Sequence, residues 1–433
     1  MKKSWKMVLV VAGCLLSGEL RADGGDAFWS LVQQTMTENP RIRSAQATLD
    51  AARERLNQAR SGLLPDLSLG LSQTHNRTDW NSGHNSMDPQ MVGINLSQPV
   101  FDKRALVAVR QATPYVAAFE QSLEAEKQGV FLQVADVALN YLKAREVSEL
   151  ARNNRQLTES NLETTRARFR VGEITQTDVS QASSRLASAE AEVLRAENAV
   201  AVGKARYEEV VGTPPPPELF VPALEVPILG ESLEVLVREA QQRPDLQAVR
   251  HRLQVAALNV DQERSGFFPT MALTSSVNRS WRQEVAGRMD PVDQMSLTLA
   301  MNVPLYSGGE TVSRIAQAKS EQQGQEIEEE RLLRQIAREV EQAQLDYKNA
   351  QAMVRAYQAA EKAAMEAKTG IEQEYRVGSR TALDLLVAQN VLFTSQTDLA
   401  RSRFDLILAR FQLLRAVGHL DLKKLELTKK PSS

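Results

Sequence analysis

The stretch RSGLLPDLSLGLS, which runs from Arg60 to Ser72, decides the fold because the chain contains it twice in similar form. The second version, RSGFFPTMALTSS, begins at Arg264, about 205 residues later. In both versions a proline closes a helical pattern, and apolar residues then fall at every second position. A period of two is that of a β-strand with one apolar and one polar face. Each version therefore predicts a change from helix to strand at its proline.

Other landmarks repeat in the same order and at nearly the same spacing. They are SQPVFD (97–102) with NVPLYSGG (302–309), RFRVGEITQTDV (168–179) with EYRVGSRTALDL (374–385), and Pro40 with Pro244. Ordered self-similarity of this kind predicts two tandem copies of one structural unit. We place the first copy at residues 23–212 and the second at 231–422. A proline-rich linker at 213–230 separates them, and a short tail at 423–433 follows.

The first 22 residues have the pattern of a secretory signal peptide. A basic start, MKKSWK, precedes an apolar run and a small residue, Ala22, after which we expect cleavage. The segment around Cys14 also resembles a lipoprotein cleavage site, with that cysteine as the lipid acceptor. Both alternatives stay open on the residues alone. Cleavage after Ala22 would leave the mature chain without a cysteine.

Each copy is predicted to contain a pair of short strands followed by very long helices. The strand runs are about ten residues, which is the length that crosses a bilayer as a tilted strand. Residues 79–90 and 281–292 are expected to be polar loops between strands. The long helices run from Lys103 to Arg170 and from Glu310 to Tyr375, and each would span about 100 Å at 1.5 Å per residue. Their apolar seams have coiled-coil spacing.

Four amphipathic strands cannot span a membrane alone, because their edges would leave backbone groups unpaired in lipid. The smallest closed barrels have about eight strands, so the sheet predicts an oligomer. A dimer would supply eight strands and a trimer twelve. Aromatic residues at strand ends are typical of the two interfaces of such a barrel. The candidates are Trp80 and Trp281 near the polar loops, and Phe101 and Tyr306 at the opposite ends.

Composition excludes several classes of function. Charged residues make up 24% of the chain, but the net charge is only −2, whereas nucleic-acid binding predicts a basic excess. The sequence contains no nucleophile motif, phosphate loop or zinc spacing. We therefore predict no catalytic residue, cofactor or metal site.

Taken in order, these motifs resemble the TolC-type family of outer-membrane efflux and secretion channels. The motifs that carry the resemblance are RSxxxP before each first strand, PVF or PLYxGG after each second strand, and the two Val-Gly helix turns. The resemblance covers nearly all of residues 23–422. It implies a homotrimer with a twelve-stranded β-barrel in outer-membrane lipid and a long α-helical barrel in the periplasm. It also implies two partners, a periplasmic adaptor (membrane fusion) protein and an inner-membrane transporter.

The resemblance also implies a gate at the periplasmic tip. The matching positions are Thr177 and Asp178 in the first copy and Tyr375 and Arg380 in the second. The family narrows its pore with two acidic residues one helical turn apart. The first position here is Asp384, but the second is Val387, so the charged ring is single.

The turns themselves are expected to contact the adaptor through Arg168, Val171, Gly172, Val377 and Gly378. A simpler reading is that the polar gate residues cap helices and the glycines close tight turns. The predicted function is a passive export channel for small molecules or proteins. The alternative is a structural coiled-coil or adhesin-like envelope protein, and an enzyme is the weakest interpretation because no catalytic constellation is present.

Overall fold

The structure is a computed structural model that describes residues 24–81, 83–87, 89–221, 232–285 and 288–420. The predicted signal peptide (1–22) and C-terminal tail (423–433) lie outside these residues. The first copy consists of α1 (Gly24–Glu38), α2 (Pro40–Ser61), β1 (Asp66–Gln73), β2 (Asn76–Trp80), β3 (Gly83–Met87), β4 (Gln90–Asp102), α3 (Lys103–Arg170) and α4 (Gln176–Val211). The second consists of α5 (Leu233–Ala240), α6 (Pro244–Arg264), β5 (Thr270–Val285), β6 (Arg288–Asn302), α7 (Glu310–Arg376) and α8 (Ala382–Val417).

The predicted tandem repeat is confirmed by the lengths of matching helices. The long outgoing helices α3 and α7 have 68 and 67 residues, and the return helices α4 and α8 have 36 each. The predicted bounds of α3 are confirmed, and α7 ends one residue later than predicted. In the part of the chain that the structure describes, no helix is both long and apolar enough to cross a membrane.

Local signals explain where the helices begin and end. Pro40 and Pro244 stand at the first helical positions of α2 and α6, where a missing backbone N–H costs nothing. Gly212 and Gly418 follow α4 and α8 with φ of 84° and 83°, which is the left-handed conformation that glycine adopts without strain. The return helices therefore end at matching points of the two copies.

The main sheet is antiparallel, with strand order β1-β4-β5-β6, so the two copies join side by side between β4 and β5. Directly paired residues lie on the same face. One such row runs from Leu69 to Ile94, Val277 and Met295, and all four side chains are at least half exposed. The expected alternation is thus present, and its apolar face is uncovered in the single chain.

The two predicted loops are largely wrong. Residues 79–90 contain most of a small hairpin, β2-β3, and residues 281–292 are the ends of β5 and β6. The sequence there has no regular alternation of apolar and polar residues, so alternation fails as a signal although backbone pairing continues. Trp281 consequently lies inside β5, opposite Gln90, rather than at a strand end. Trp80 ends β2, and its side chain lies outside what the structure describes.

The core lies where the short helices cover the long ones. One cluster surrounds Phe28, Phe131 and Phe411, all at most 1% exposed, and a second surrounds Leu236, Ile336 and Leu413. Part of the proline-rich linker packs into the first cluster through Leu219 and Val221, which are 3% and 2% exposed. These clusters hold the middle of the helical hairpins, while the turns at their ends stay free of the core.

Candidate functional site

The turns between the paired helices are the same structure in both copies. After α3, Gly172 has a φ of 81°, and the Glu173 N–H donates to the Arg168 carbonyl at 3.1 Å. After α7, Gly378 has a φ of 82°, and the Ser379 N–H donates to the Glu374 carbonyl at 2.9 Å. A Cβ added at either glycine would meet nothing within 4 Å. The glycines are therefore required by backbone conformation and not by space.

Each return helix begins with a capping box. The Thr175 N–H and hydroxyl donate to the Asp178 Oδ2 at 2.9 and 2.8 Å, and the Asp178 N–H donates back to the threonine oxygen. Thr381 and Asp384 form the same box at 3.0 and 2.9 Å. Reciprocal bonds of this type pair backbone groups that a helix start leaves free. Both boxes use Oδ2, so the capping leaves the other carboxylate oxygen available.

An ion pair closes the second turn. The Arg380 Nε donates to the Glu374 Oε2 at 2.9 Å, and both side chains are about half exposed. This hydrogen bond and the charge of Glu374 raise the pKa of Arg380 above its ordinary value. The backbone and hydroxyl of Thr381 hold the pKa of Asp384 below its usual value, and the charge of Arg380 adds to this effect. The turn therefore carries fixed charges at any pH near neutrality.

One contact joins the two turns within the chain. The Arg168 guanidinium carbon lies 4.6 Å from the centre of the Tyr375 ring, which is the geometry of a cation–π interaction. A little farther from the turns, the Asn161 amide donates to the Gln389 Oε1 at 2.7 Å. The sequence predicts different roles for Arg168 and Tyr375 and does not predict this contact. Their spacing along the chain offers no signal for this contact.

The structure keeps the other predicted gate residues on their own turns. Among the described residues, Asp178 is bonded within its capping box and Arg380 to Glu374, while Thr177 is exposed. Capping, the simpler interpretation, is thus confirmed for Asp178 and wrong for Thr177, because Thr175 is the threonine that caps α4. Asp384 belongs to the matching cap of α8. A network between neighbouring chains stays a prediction, because it would form across a surface that one chain leaves open.

The candidate constriction residues share one side of α8. Asp384 and Val387 are three positions apart, which places them one turn apart on a helix. Val387 is 45% exposed although it is apolar. No group of three or more possible metal-binding side chains occurs in the described ranges. The side of α8 that these residues mark therefore combines one fixed negative charge with an uncovered apolar side chain.

The predicted adaptor residues form two exposed apolar tips. Val171 is 72% exposed and Val377 is 80% exposed, each next to its turn glycine. Each valine stands beside charged residues, Arg170 and Glu173 in the first turn and Arg376 and Arg380 in the second. The long helical hairpins therefore place two exposed valines at one end of the chain and the uncovered apolar face of the sheet at the other.

Comparison with known proteins identifies the family. The sequence model of the outer membrane efflux protein family matches residues 31–213 and 235–419. The efflux protein BepC of Brucella suis is 28% identical over 97% of this chain and 92% of its own, and the outer membrane protein TolC of Vibrio cholerae is 28% identical over 90% of each. The CmeC outer membrane channel of Campylobacter jejuni superposes with a TM-score of 0.80 at 17% identity, covering 98% of this chain and 97% of its own.

The chain belongs to the outer membrane efflux protein family. It is an outer-membrane exit channel that extends into the periplasm, which confirms the function predicted from the sequence. Its fold is that of the TolC-type channels, which confirms the mainly helical tandem repeat with a small antiparallel sheet. The family is one of channels and not of enzymes.

Proposed function

We propose that three copies of this chain close into one continuous channel, with a twelve-stranded barrel at the sheet and a helical barrel below it. The observation that carries the proposal is the uncovered apolar row on a sheet whose outer strands, β1 and β6, have no partner on one side among the described residues. Open edges in lipid would leave backbone groups unpaired, and closure by neighbouring chains removes them.

The helix turns are the proposed gate and docking surface. Tyr375 and Arg380 of one hairpin face Thr177 and Asp178 of a neighbouring one, and the ring of Asp384 narrows the pore beside Val387. Arg380 is suited to this role because its planar fork bonds a carboxylate and a hydroxyl together. Each such exposed pair stabilises the closed gate by only about 0–1 kcal/mol, so binding of a partner protein can open it.

The exposed tips carry the proposed partner contacts. Val171 with Gly172 and Val377 with Gly378 dock a periplasmic adaptor protein, and Arg168 borders this surface. The adaptor links the channel to an inner-membrane transporter, which selects the cargo. Support comes from the exposure of both valines and from relatives that are named as efflux proteins. The Phe101 and Tyr306 side chains, 37% and 90% exposed, mark the periplasmic edge of the lipid.

Single-channel recording in planar bilayers tests the proposal, with the purified protein compared with Arg380→Ser. We expect small, stable currents from the wild type and larger currents from the variant. A wild-type channel that is fully open would contradict the proposed gate but would agree with the proposed channel. A folded trimer that never conducts would instead favour a structural envelope protein.

A further inference from the structure

The strongest unexplained feature of the molecule is a charged cluster at the start of α6. Arg243 is only 7% exposed, which is rare for arginine unless its charge is paired. Its Nη2 donates to the Asp245 Oδ2 at 2.6 Å, and its Nη1 donates to the Glu339 Oε2 at 2.8 Å. The same Nη1 also donates to the Ala416 carbonyl at 3.3 Å. None of these residues lies in the turns or in the sheet.

The cluster joins three helices at one point. Asp245 belongs to the first turn of α6, Glu339 lies in the middle of α7, and Ala416 is next to the end of α8. At this point α6 begins where α8 ends, so Arg243 bonds the two helix ends to each other and to the long helix beside them. Breaking such a cluster by removing one partner leaves a buried charge unpaired, which is strongly unfavourable.

The first copy has the same joint without a buried charge. Asn39, also 7% exposed, occupies the position of Arg243, and its amide donates to the Val210 carbonyl at the end of α4 at 3.2 Å. Arg41 stands where Asp245 stands, and its Nη1 donates to the Gln133 Oε1 at 3.0 Å. Arg41 is more than half exposed in its side chain. The two joints are equivalent in position but differ in strength and in burial of charge.

Backbone packing separates the joints further. A Cβ added at Gly418 would lie 2.9 Å from the Arg243 Cγ and 3.3 Å from its Cα, whereas a Cβ at Gly212 would meet nothing within 4 Å. The second joint is therefore closed around Arg243, and its C-terminal glycine is needed for space as well as for conformation.

We infer that Arg243 is a positioning residue for the gate: by fixing the joint of α6, α7 and α8, it sets the direction in which the α7–α8 hairpin projects to its turn. The hairpin continues for 37 residues from Glu339 to Arg376, or about 55 Å at 1.5 Å per residue. A tilt of roughly 3° at the joint would then move the turn by about 3 Å, which is enough to break a hydrogen bond there. The inference rests on the proposed gate. It implies that the base of the α7–α8 hairpin is held more firmly than the base of the α3–α4 hairpin.

The hairpin that Arg243 holds is the one that carries the proposed gate charges. Tyr375, Arg380 and Asp384 all lie at its far end, and the contacts that hold this end within the chain are few and exposed. The Arg243 cluster holds the base of the hairpin, whereas the contacts at its turn are weak. The turn can therefore leave its contacts while the direction of the hairpin stays the same. The joint at Asn39 has an ion pair between Arg41 and Glu126 at 2.7 Å, but the Arg41 side chain is more than half exposed. Without a buried charge, this joint constrains the first hairpin less.

The test is single-channel recording of three variants beside the wild type. Arg243→Gln keeps hydrogen bonding but removes the charge, Arg243→Lys keeps the charge but loses the fork, and Asn39→Ala is the matched control in the first joint. We expect Arg243→Gln to raise the open fraction by about threefold or more, Arg243→Lys to give a smaller increase, and Asn39→Ala to leave it close to wild type. Equal effects of Arg243→Gln and Asn39→Ala would overturn the inference.

A cross-link between the two hairpins distinguishes a positioning role of Arg243 from a general loss of stability in Arg243→Gln. Cysteines at Asn161 and Gln389, which bond to each other near the turns, are joined by a short bismaleimide in the wild-type and Arg243→Gln backgrounds. If Arg243 acts through the direction of the hairpin, cross-linking restores the low open fraction of Arg243→Gln. An open fraction that stays high after complete cross-linking contradicts the inference. A wild type that forms no channel at all would instead count against the proposed function.

Discussion

Replacing Gly418 by alanine should weaken the second joint far more than the equivalent replacement of Gly212 weakens the first. Both glycines have φ near 84°, where a residue with a Cβ costs about 1–2 kcal/mol. This is the whole expected cost at Gly212, where the new methyl group meets nothing within 4 Å. At Gly418 the methyl group meets Arg243 at 2.9 Å, so the arginine must shift.

The shift adds a second cost. Arg243 cannot move away from the methyl group without lengthening its bonds to Asp245 and Glu339, and overpacking of this kind costs about 1–3 kcal/mol more. An extra cost of about 1.4 kcal/mol corresponds to a tenfold larger opening constant. We therefore expect the end of α8 to open about tenfold or more often in Gly418→Ala than the end of α4 opens in Gly212→Ala.

Hydrogen exchange followed by mass spectrometry measures the opening of both helix ends in the wild type and in each variant, because it reports local stability segment by segment. The informative amides are those of Gly418 and His419, which donate to the Arg415 and Leu414 carbonyls at 2.9 and 2.8 Å, compared with the Gly212 amide in the first copy. Similar loss of protection at both joints would refute the reasoning. It would mean that Arg243 yields to the methyl group freely and does not clamp the joint.

Three further predictions concern charge. Asp384→Asn should keep the capping bonds but reduce block by multivalent cations in planar bilayers. Thr381→Ala, which damages the same cap, should leave the block intact. An equal loss of block in both variants would mean that the effect comes from a weakened helix start and not from the lost charge. Glu374→Gln should raise conductance in the same direction as Arg380→Ser, because it frees Arg380; an unchanged current would mean that this pair does not hold the turn. Burial works to raise the pKa of Glu339, but hydrogen bonds from Gln335 and Arg243 outweigh it and hold the pKa below its usual value. The stabilisation is therefore present above about pH 4.5 and is lost as pH falls through the folded pKa, so thermal denaturation midpoints should drop with acid more steeply in the wild type than in Glu339→Gln.

The helical part of the fold was predictable because its signals are local. Pro40, Pro244 and the glycines after α4 and α8 mark helix ends by backbone conformation alone, and α3 begins and ends where the sequence places it. The strands were predictable only where one face is apolar. Beyond the alternating residues, β5 and β6 continue through a stretch with no regular pattern. Only backbone pairing extends the strands there, and side chains do not reveal it.

The site was predictable to a lesser degree. The turns and their capping residues follow from short motifs, since a Thr and an Asp three positions apart form a capping box without help from the rest of the chain. The Arg168–Tyr375 contact and the Arg243 cluster join residues far apart in sequence. Arg243 meets Glu339 and the Ala416 carbonyl 96 and 173 positions away. The RPDL segment around Arg243 does not predict these partners, because an exposed arginine could stand in the same local sequence.

The divergence of the two copies has a physical consequence in the proposed assembly. Two identical hairpins would respond alike to a force applied at their turns, so that opening the pore would require all of them to move together. Here the second hairpin carries Arg380 with its partner Glu374, where the first copy has Ile174 and Arg168. The second hairpin is also the one with a buried charge at its base. The turn of the first copy has only the longer Arg168–Glu173 pair, at 3.9 Å. In the proposed trimer, the arginine side of the gate contacts therefore lies on three of the six hairpins, and each of these three has a buried charge at its base.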